Sequence, residues 1–142
     1  MWFKLLKAWL LVRCTSDSEK KRGYQSRWMG LRGECLATRY LKKHGYKICA
    51  RNWHWKHGEI DIIAQKQNLY AFVEVRGRDI KQLCSGYYSI SKHKKSVLKT
   101  TIKAYLKRHT EISHYRFDII SIEWDKSDIK HLYHYENIPL TF

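Results

Sequence analysis

The sequence predicts an α/β domain, a mixed central β-sheet flanked by helices, on three observations. Two stretches carry apolar residues at helical spacing, several short runs alternate apolar with polar residues, and these follow one another as helix, three strands, helix, one or two strands. The 142 residues suit one domain with one core. A hydrophobic content of 44% can fill that core and excludes a chain disordered throughout.

In the first helix, Gly30 to His44, the apolar positions are Leu36, Ala37, Tyr40 and Leu41, and Gly45 is a natural stop. Tyr46 to Arg51 sets Tyr46, Ile48 and Ala50 against Lys47, Cys49 and Arg51, which reads as a strand. Glu59 to Ala64 and Leu69 to Arg76 are two more, and the polar Gln65-Lys66-Gln67-Asn68 between them suits the turn of a hairpin. After a loop with Gly77 and Gly86, a second helix runs from about Ser91 to Arg108 with an apolar stripe of Leu98, Ile102, Tyr105 and Leu106. Tyr115 to Ile122 is a strand, Asp125 to Asp128 a turn, and Ile129 to Tyr135 a last strand.

Ahead of this, residues 14–29 are polar and basic and read as a linker or arm. The expected organisation is a basic N-terminal extension over 1–29, mobile or a short helix, and a folded domain over 30–142. The apolar run Ala8 to Val12 is too short for a membrane span, and no small-x-small cleavage site follows it. A basic amphipathic helix on a membrane surface is the alternative to a dispensable extension.

Charge narrows the partner. Twenty-eight Lys and Arg against thirteen Asp and Glu give +15, which calls for a polyanion: nucleic acid first, acidic lipid second. Cys14, Cys35, Cys49 and Cys84 form no CxxC pair, so the simplest expectation is a reduced, cytoplasmic protein without a zinc site. His54 and His57 are expected in a loop rather than as zinc ligands.

The informative stretch is Gly58-Glu59-Ile60-Asp61 followed by Phe72-Val73-Glu74-Val75-Arg76. With the turn centred between Lys66 and Gln67, residue 59 lies opposite 74 and 61 opposite 72. Glu59, Asp61, Glu74 and Arg76 then share one side of the hairpin, and Ile60, Ile62, Ala71, Val73 and Val75 the other. Three clustered carboxylates repel, so the face takes up cations or a proton. Mg²⁺ suits such a set, since it prefers carboxylate oxygens and keeps waters for a phosphate. The alternative is a solvated face neutralised by Arg76, Arg78 and nearby lysines. Glu34 stands at the edge of the first helix's apolar stripe, as a further carboxylate of this set or as a first-turn Glu favoured by the helix dipole.

With these residues in view, the chain resembles the YraN-like family of small bacterial proteins. The matching positions are Gly30, Glu34 and Ala37 in a first helix, Gly45-Tyr46 before a strand and Arg51-Asn52 after it. Gly58 to Asp61, Phe72 to Arg76 with Arg78, Lys94 early in the second helix, and Arg116-Phe117-Asp118 complete the pattern. The resemblance covers about residues 30–138, and the two carboxylate motifs are its specific part. It implies a restriction-endonuclease-like core, an Asp and a Glu binding Mg²⁺ or Mn²⁺, and a Lys two residues after the second carboxylate. Carried over, the metal ligands are Asp61 and Glu74, supported by Glu59 and Glu34, and the Lys position holds Arg76. Arg stays protonated and cannot take a proton from water, but its fork suits two phosphate oxygens, and Lys94 can partly replace the missing amine. The implied activity is metal-assisted phosphodiester hydrolysis; the alternative is a non-catalytic nucleic-acid-binding module working with a repair, recombination or RNA-processing partner. The loop around Cys84-Ser85-Gly86-Tyr87-Tyr88 is bulkier than the family's small-residue segment.

Lys81 to Arg108 holds eight Lys and Arg and no acid. Lys92, Lys95, Lys99 and Lys103 recur at three- and four-residue steps, which predicts a basic stripe able to track DNA or RNA phosphates, together with Arg76, Arg78 and Lys94. Trp53, Trp55, Tyr87 and Tyr88 either stack on unpaired bases or cap the core. No small-molecule cofactor is expected.

Overall fold

A computed structural model describes residues 18–81, 90–126 and 128–140, with side-chain surroundings from Arg27 onward. Two helices and five strands alternate as the sequence predicts: α1 (Ser18–Lys43), β1 (Lys47–Trp55), β2 (Gly58–Lys66), β3 (Leu69–Asp79), α2 (Lys92–Arg108), β4 (His114–Asp125) and β5 (Asp128–Tyr135). They form an α/β fold with one mixed sheet in the order β1-β2-β3-β4-β5, antiparallel throughout except for the parallel pair β3–β4. A parallel neighbour needs a crossover, and α2 supplies it.

The helices cover opposite faces. Ala37 and Leu41 of α1 pack on Ile62, Ala64, Ala71, Val73, Ile120 and Ile122. Leu98, Ile102 and Tyr105 of α2 pack on Ile60, Ile63, Phe72, Phe117 and Ile119. β3 and β4 carry unbroken buried runs, residues 71–74 and 117–124, as strands covered on both faces do; β1 keeps an alternating exposure that fits an edge strand. Gly45 ends α1 with φ +84°, where its N–H donates to Lys42 O and the Tyr46 N–H to Leu41 O, the paired bonds of a Schellman ending. Ser91 caps α2, its hydroxyl accepting from the Lys94 N–H.

Four expectations need correction. α1 begins at Ser18, so the part of the expected linker over 18–29 takes the helical alternative and is continuous with the helix expected from Gly30. This segment lacks an apolar stripe, but Glu19, Lys20, Lys21, Arg22 and Gln25 are good helix formers. β1 extends to Trp55, which puts His54 in a strand; His57 is in the turn after it. The β2–β3 turn centres between Gln67 and Asn68, with Gln67 at φ 54°, so the ladder pairs Lys66 with Leu69 and Ile62 with Val73. That register differs by two residues from the expected one, so the faces are preserved but the partners change.

The fourth concerns Ile60, which packs toward α2 while Ile62 packs toward α1. Alternation therefore slips between them. The β1–β2 ladder pairs Arg51 with Ile62 and Trp53 with Ile60, leaving Asn52 and Asp61 in between. Asn52 has φ 49°, a left-handed conformation that asparagine tolerates better than most residues. Both strands change phase there together.

No helix among the described residues is long and apolar enough to cross a membrane. The expectations about residues 1–13, Cys14, Cys84 and Tyr87–Tyr88 lie outside the described residues.

Candidate functional site

The phase slip at Asp61 builds the site. The β2–β3 ladder ends at Ile62–Val73, while β3 continues alongside β4 as far as Asp79. β2 and β3 thus splay into a fork. Asp61 fills its base: Oδ2 accepts the Val75 N–H at 2.7 Å, satisfying a backbone donor that the departed strand no longer serves. Glu74 adjoins it on β3. Both are nearly buried, Asp61 at 7% and Glu74 at 3% exposure, although charged groups at such burial need partners.

A cleft of about 250 Å³ opens over the fork, lined by Glu34 and Gly33 of α1, Glu59 and Asp61 of β2, Glu74 and Arg76 of β3, and Lys94 of α2. The expected carboxylates and cations are therefore brought together, in a fork reached by both helices rather than on a flat sheet face. Lys94 Nζ lies 3.2 Å and Arg76 Nε 3.7 Å from Glu74 Oε1. Arg51 reaches Glu34 Oε2 at 3.5 Å. Glu59 is turned partly outward, with its Oε2 2.6 Å from His54 Nε2.

The electrostatics are those of a crowded acidic centre. Burial, then the charge of Glu74, pushes Asp61 up to about 7 from an ordinary 3.8, opposed by the Val75 N–H and Lys94. Burial also raises Glu74, against the pull of Lys94 and Arg76. Glu34 Oε2, Glu74 Oε2 and Arg76 Nε are buried without a hydrogen-bond partner. Glu74 Oε2 and Glu34 Oε2, the latter 3.5 Å from Arg51, are the hard oxygen donors that a Mg²⁺-class cation prefers, but among the described residues the donor atoms that lie within 4.8 Å of one another are those of Asp118, His134 and Glu136, not of the fork. The chemistry of these donors, rather than their spacing, suits the cation that the motifs imply.

The expected phosphate-contacting residues divide. Arg76 and Lys94 line the cleft. Arg78 pairs across the β3–β4 ladder with Glu123, its Nε donating at 2.8 Å, and is absent from the cleft wall. Lys92, Lys95 and Lys99 form an outer stripe on α2, and Lys103 lies at the rim of another hollow, beside Trp55. Trp53 packs edge-on against Tyr105 at 5.1 Å and caps the core. Among the described cysteines, Cys35 and Cys49 are free and exposed.

A second polar cluster was marked in the sequence only by Arg116-Phe117-Asp118. Asp118, fully buried, accepts from His134 Nε2 at 2.9 Å, the Asn137 N–H at 2.9 Å and Arg116 Nε at 3.1 Å. Arg116 also donates to Tyr46 Oη at 2.7 Å and Glu136 Oε1 at 2.8 Å. The donor atoms of Asp118, His134 and Glu136 lie within 4.8 Å of one another, as in a metal site. The Arg116 guanidinium already supplies the positive charge, so this network ties β4, β5 and Tyr46, just ahead of β1, together. Only the tertiary fold joins these residues; no local spacing signals them.

Comparison with known proteins decides the family. The family model described as "Uncharacterised protein family UPF0102" matches residues 33–122, which run from α1 to β4 and include every carboxylate of the fork. The chain belongs to the UPF0102 family. The YraN-like resemblance in the motifs is thereby borne out at the family level. A UPF0102 protein of Syntrophomonas wolfei is 40% identical over 113 residues, covering 75% of this chain and 96% of its own. One from Carboxydothermus hydrogenoformans is 37% identical over 115 residues, 79% of this chain and 95% of its own. A Sulfurihydrogenibium UPF0102 protein is 36% identical over 105 residues, 73% and 87% respectively. These three relatives match this chain over 87–96% of their own length.

Proposed function

We propose that this UPF0102 protein binds nucleic acid and hydrolyses phosphodiester bonds at the β2–β3 fork with the help of Mg²⁺ or Mn²⁺. The observation that carries this reading is the gathering of nearly buried Asp61 and Glu74 with Glu34 around one cleft, where Glu74 Oε2 and Glu34 Oε2 are buried without a hydrogen-bond partner. Crowded acids whose protonation is favoured by burial suit a cation better than they suit each other. The likeness of the motifs to restriction-endonuclease-like nucleases and the net charge of +15 support the same reading.

Asp61, Glu74 and Glu34 would hold the metal, with Glu59 at the mouth. A bound divalent ion there supplies an acidified water and offsets charge developing on the phosphate. Asp61 stays aimed into the fork through the Val75 N–H. Arg76, always protonated, binds and orients phosphate oxygens and abstracts no proton. Lys94, on the opposite wall, places a second cation where an entering phosphate displaces it from Glu74.

Calorimetric titration of Mn²⁺ and Mg²⁺ into wild type, Asp61→Asn and Glu74→Gln, with cleavage assays on the same samples, tests this. Wild type binds metal and cuts at least one of single-stranded, duplex or branched substrates; both variants lose metal binding and at least 100-fold in rate. A wild type that takes up neither metal, or cuts equally well without Asp61, overturns it.

One observation favours a second reading, a non-catalytic binding module. Lys94 and Arg76 together neutralise Glu74 without a metal, and the position of the usual Lys carries a residue unable to act as a base. That reading predicts salt-sensitive binding that survives Asp61→Asn and no cleavage by either protein.

A further inference from the structure

The cleft over the fork does not end there. It adjoins a second hollow through Glu59 and Lys94, that one adjoins a third through the turn Lys56-His57-Gly58 and Val97, and the third adjoins a fourth through Trp55 and Thr100. The hollows measure about 250, 300, 170 and 370 Å³. Sharing these walls, they follow one another along the flank of α2 beside the β1–β2 turn, and we read them as one trough. From Lys94 to Arg108 it follows α2 for about 21 Å. That length accommodates about six nucleotides at the 3.4 Å spacing of a stacked strand, and fewer in an extended one.

Its chemistry changes along its length. At the fork it is acidic. Beyond Glu59, which His54 already engages, the lining contains no acid and carries Lys56, Lys103, Lys107 and Arg108. The far hollow has mainly apolar walls, formed by Trp55, Ala104 and the stems of its cations. Trp55 is half-buried at the strand end, and the Arg108 guanidinium lies 4.6 Å from its ring centre.

We infer that this trough seats a single-stranded polynucleotide, with its phosphates along Lys56, Lys103 and Lys107 and an unpaired base stacked at Trp55 beside Arg108. The inference rests on the nucleic-acid reading above and names its substrate class. Cationic rims call for a polyanion, and an apolar aromatic seat calls for one that exposes flat apolar faces. Unpaired bases have both properties; a blunt duplex keeps those faces inside its stack, and an acidic peptide lacks them. The sequential stripe Lys92, Lys95 and Lys99 lies outside the trough. The cations that serve it are those brought against the β1–β2 turn by the packing of Gly58 on Thr101 and Val97.

The test is fluorescence anisotropy with labelled dT12 and rU12 and a blunt duplex, in EDTA so that no strand is cut. Wild type should bind a single strand at least tenfold more tightly than the duplex, with a log-log salt slope of about −2 for three phosphate contacts at about −0.7 each. Trp55→Ala should lose single-strand affinity about tenfold or more, Trp55→Phe should retain most of it, and Lys107→Ala should flatten the slope by about 0.7. Whichever of dT12 and rU12 binds more tightly identifies the sugar preference. Circular dichroism checks folding, and Mn²⁺ titration of Trp55→Ala should match wild type. Equal binding by wild type, Trp55→Ala and Lys107→Ala overturns the trough and leaves the fork reading standing. Equal affinity for duplex, or equal competition by polyglutamate of matched charge, overturns the single-strand assignment. Failure of wild type to bind any polynucleotide overturns both readings.

Discussion

Asp61 carries two burdens at once. It replaces a lost ladder acceptor for the Val75 N–H, and it sits nearly buried beside Glu74. Its acidity, moved from 3.8 to about 7, has a stability consequence for the metal-free protein. Between those values the folded state holds a proton that the unfolded chain has released, so Asp61's contribution to stability is full below about pH 4, falls as pH rises toward 7, and then stays low. In EDTA, Asp61→Asn should therefore match wild type near pH 4 and exceed it at pH 8 by up to about 3 kcal/mol, read from urea unfolding at the two pH values. A variant equally destabilised at both would mean that the carboxylate is held for packing alone. The sequence identified this residue and Glu74 by their motif spacing. It did not disclose that Arg78 is engaged by Glu123, because that partner is 45 positions away on β4.

At the scale of elements, the β1–β2 turn presses on α2 through one glycine. A Cβ on Gly58 would lie 2.8 Å from Val97 Cγ1 and still closer to Thr101 Oγ1, and Thr101 is buried. Gly58→Ala should cost about 1–3 kcal/mol in urea unfolding. It should also weaken single-strand binding, because the trough is the seam between these two elements. An alanine variant as stable as wild type would show that the seam can open freely. The motif Gly58-Glu59-Ile60-Asp61 thus combines two requirements, close approach to α2 and a carboxylate at the fork. The hairpin around it was legible from alternation and turn residues. Its register was not, since moving the centre of the turn from Lys66/Gln67 to Gln67/Asn68 shifts every partner by two positions. The start of α1 was missed for a related reason: residues 18–29 have helix propensity but no apolar periodicity to announce it.

For the whole molecule, metal binding and folding stability are linked. An ion that binds only the folded fork at a hundredfold excess over its Kd adds about 2.7 kcal/mol. A rise in Tm with Mn²⁺ in wild type, absent in Glu74→Gln, is the expected outcome of a thermal scan; no shift in either protein would count against an ion at the fork. Such a gain is intelligible because Glu34, Asp61 and Glu74 come from three different elements, α1, β2 and β3, which an ion would tie together. The sequence by itself determined the alternation of elements, the apolar faces, the basic excess and the identity of the paired acids, because these depend on neighbours within a few residues. Only the tertiary structure decided that β2 and β3 part into a fork, that Ile60 and Ile62 face opposite helices, and that Trp55 meets the end of α2. Those outcomes depend on a phase slip shared by Asn52 and Asp61 and on contacts between segments far apart in the chain, and local periodicity carries no information about either.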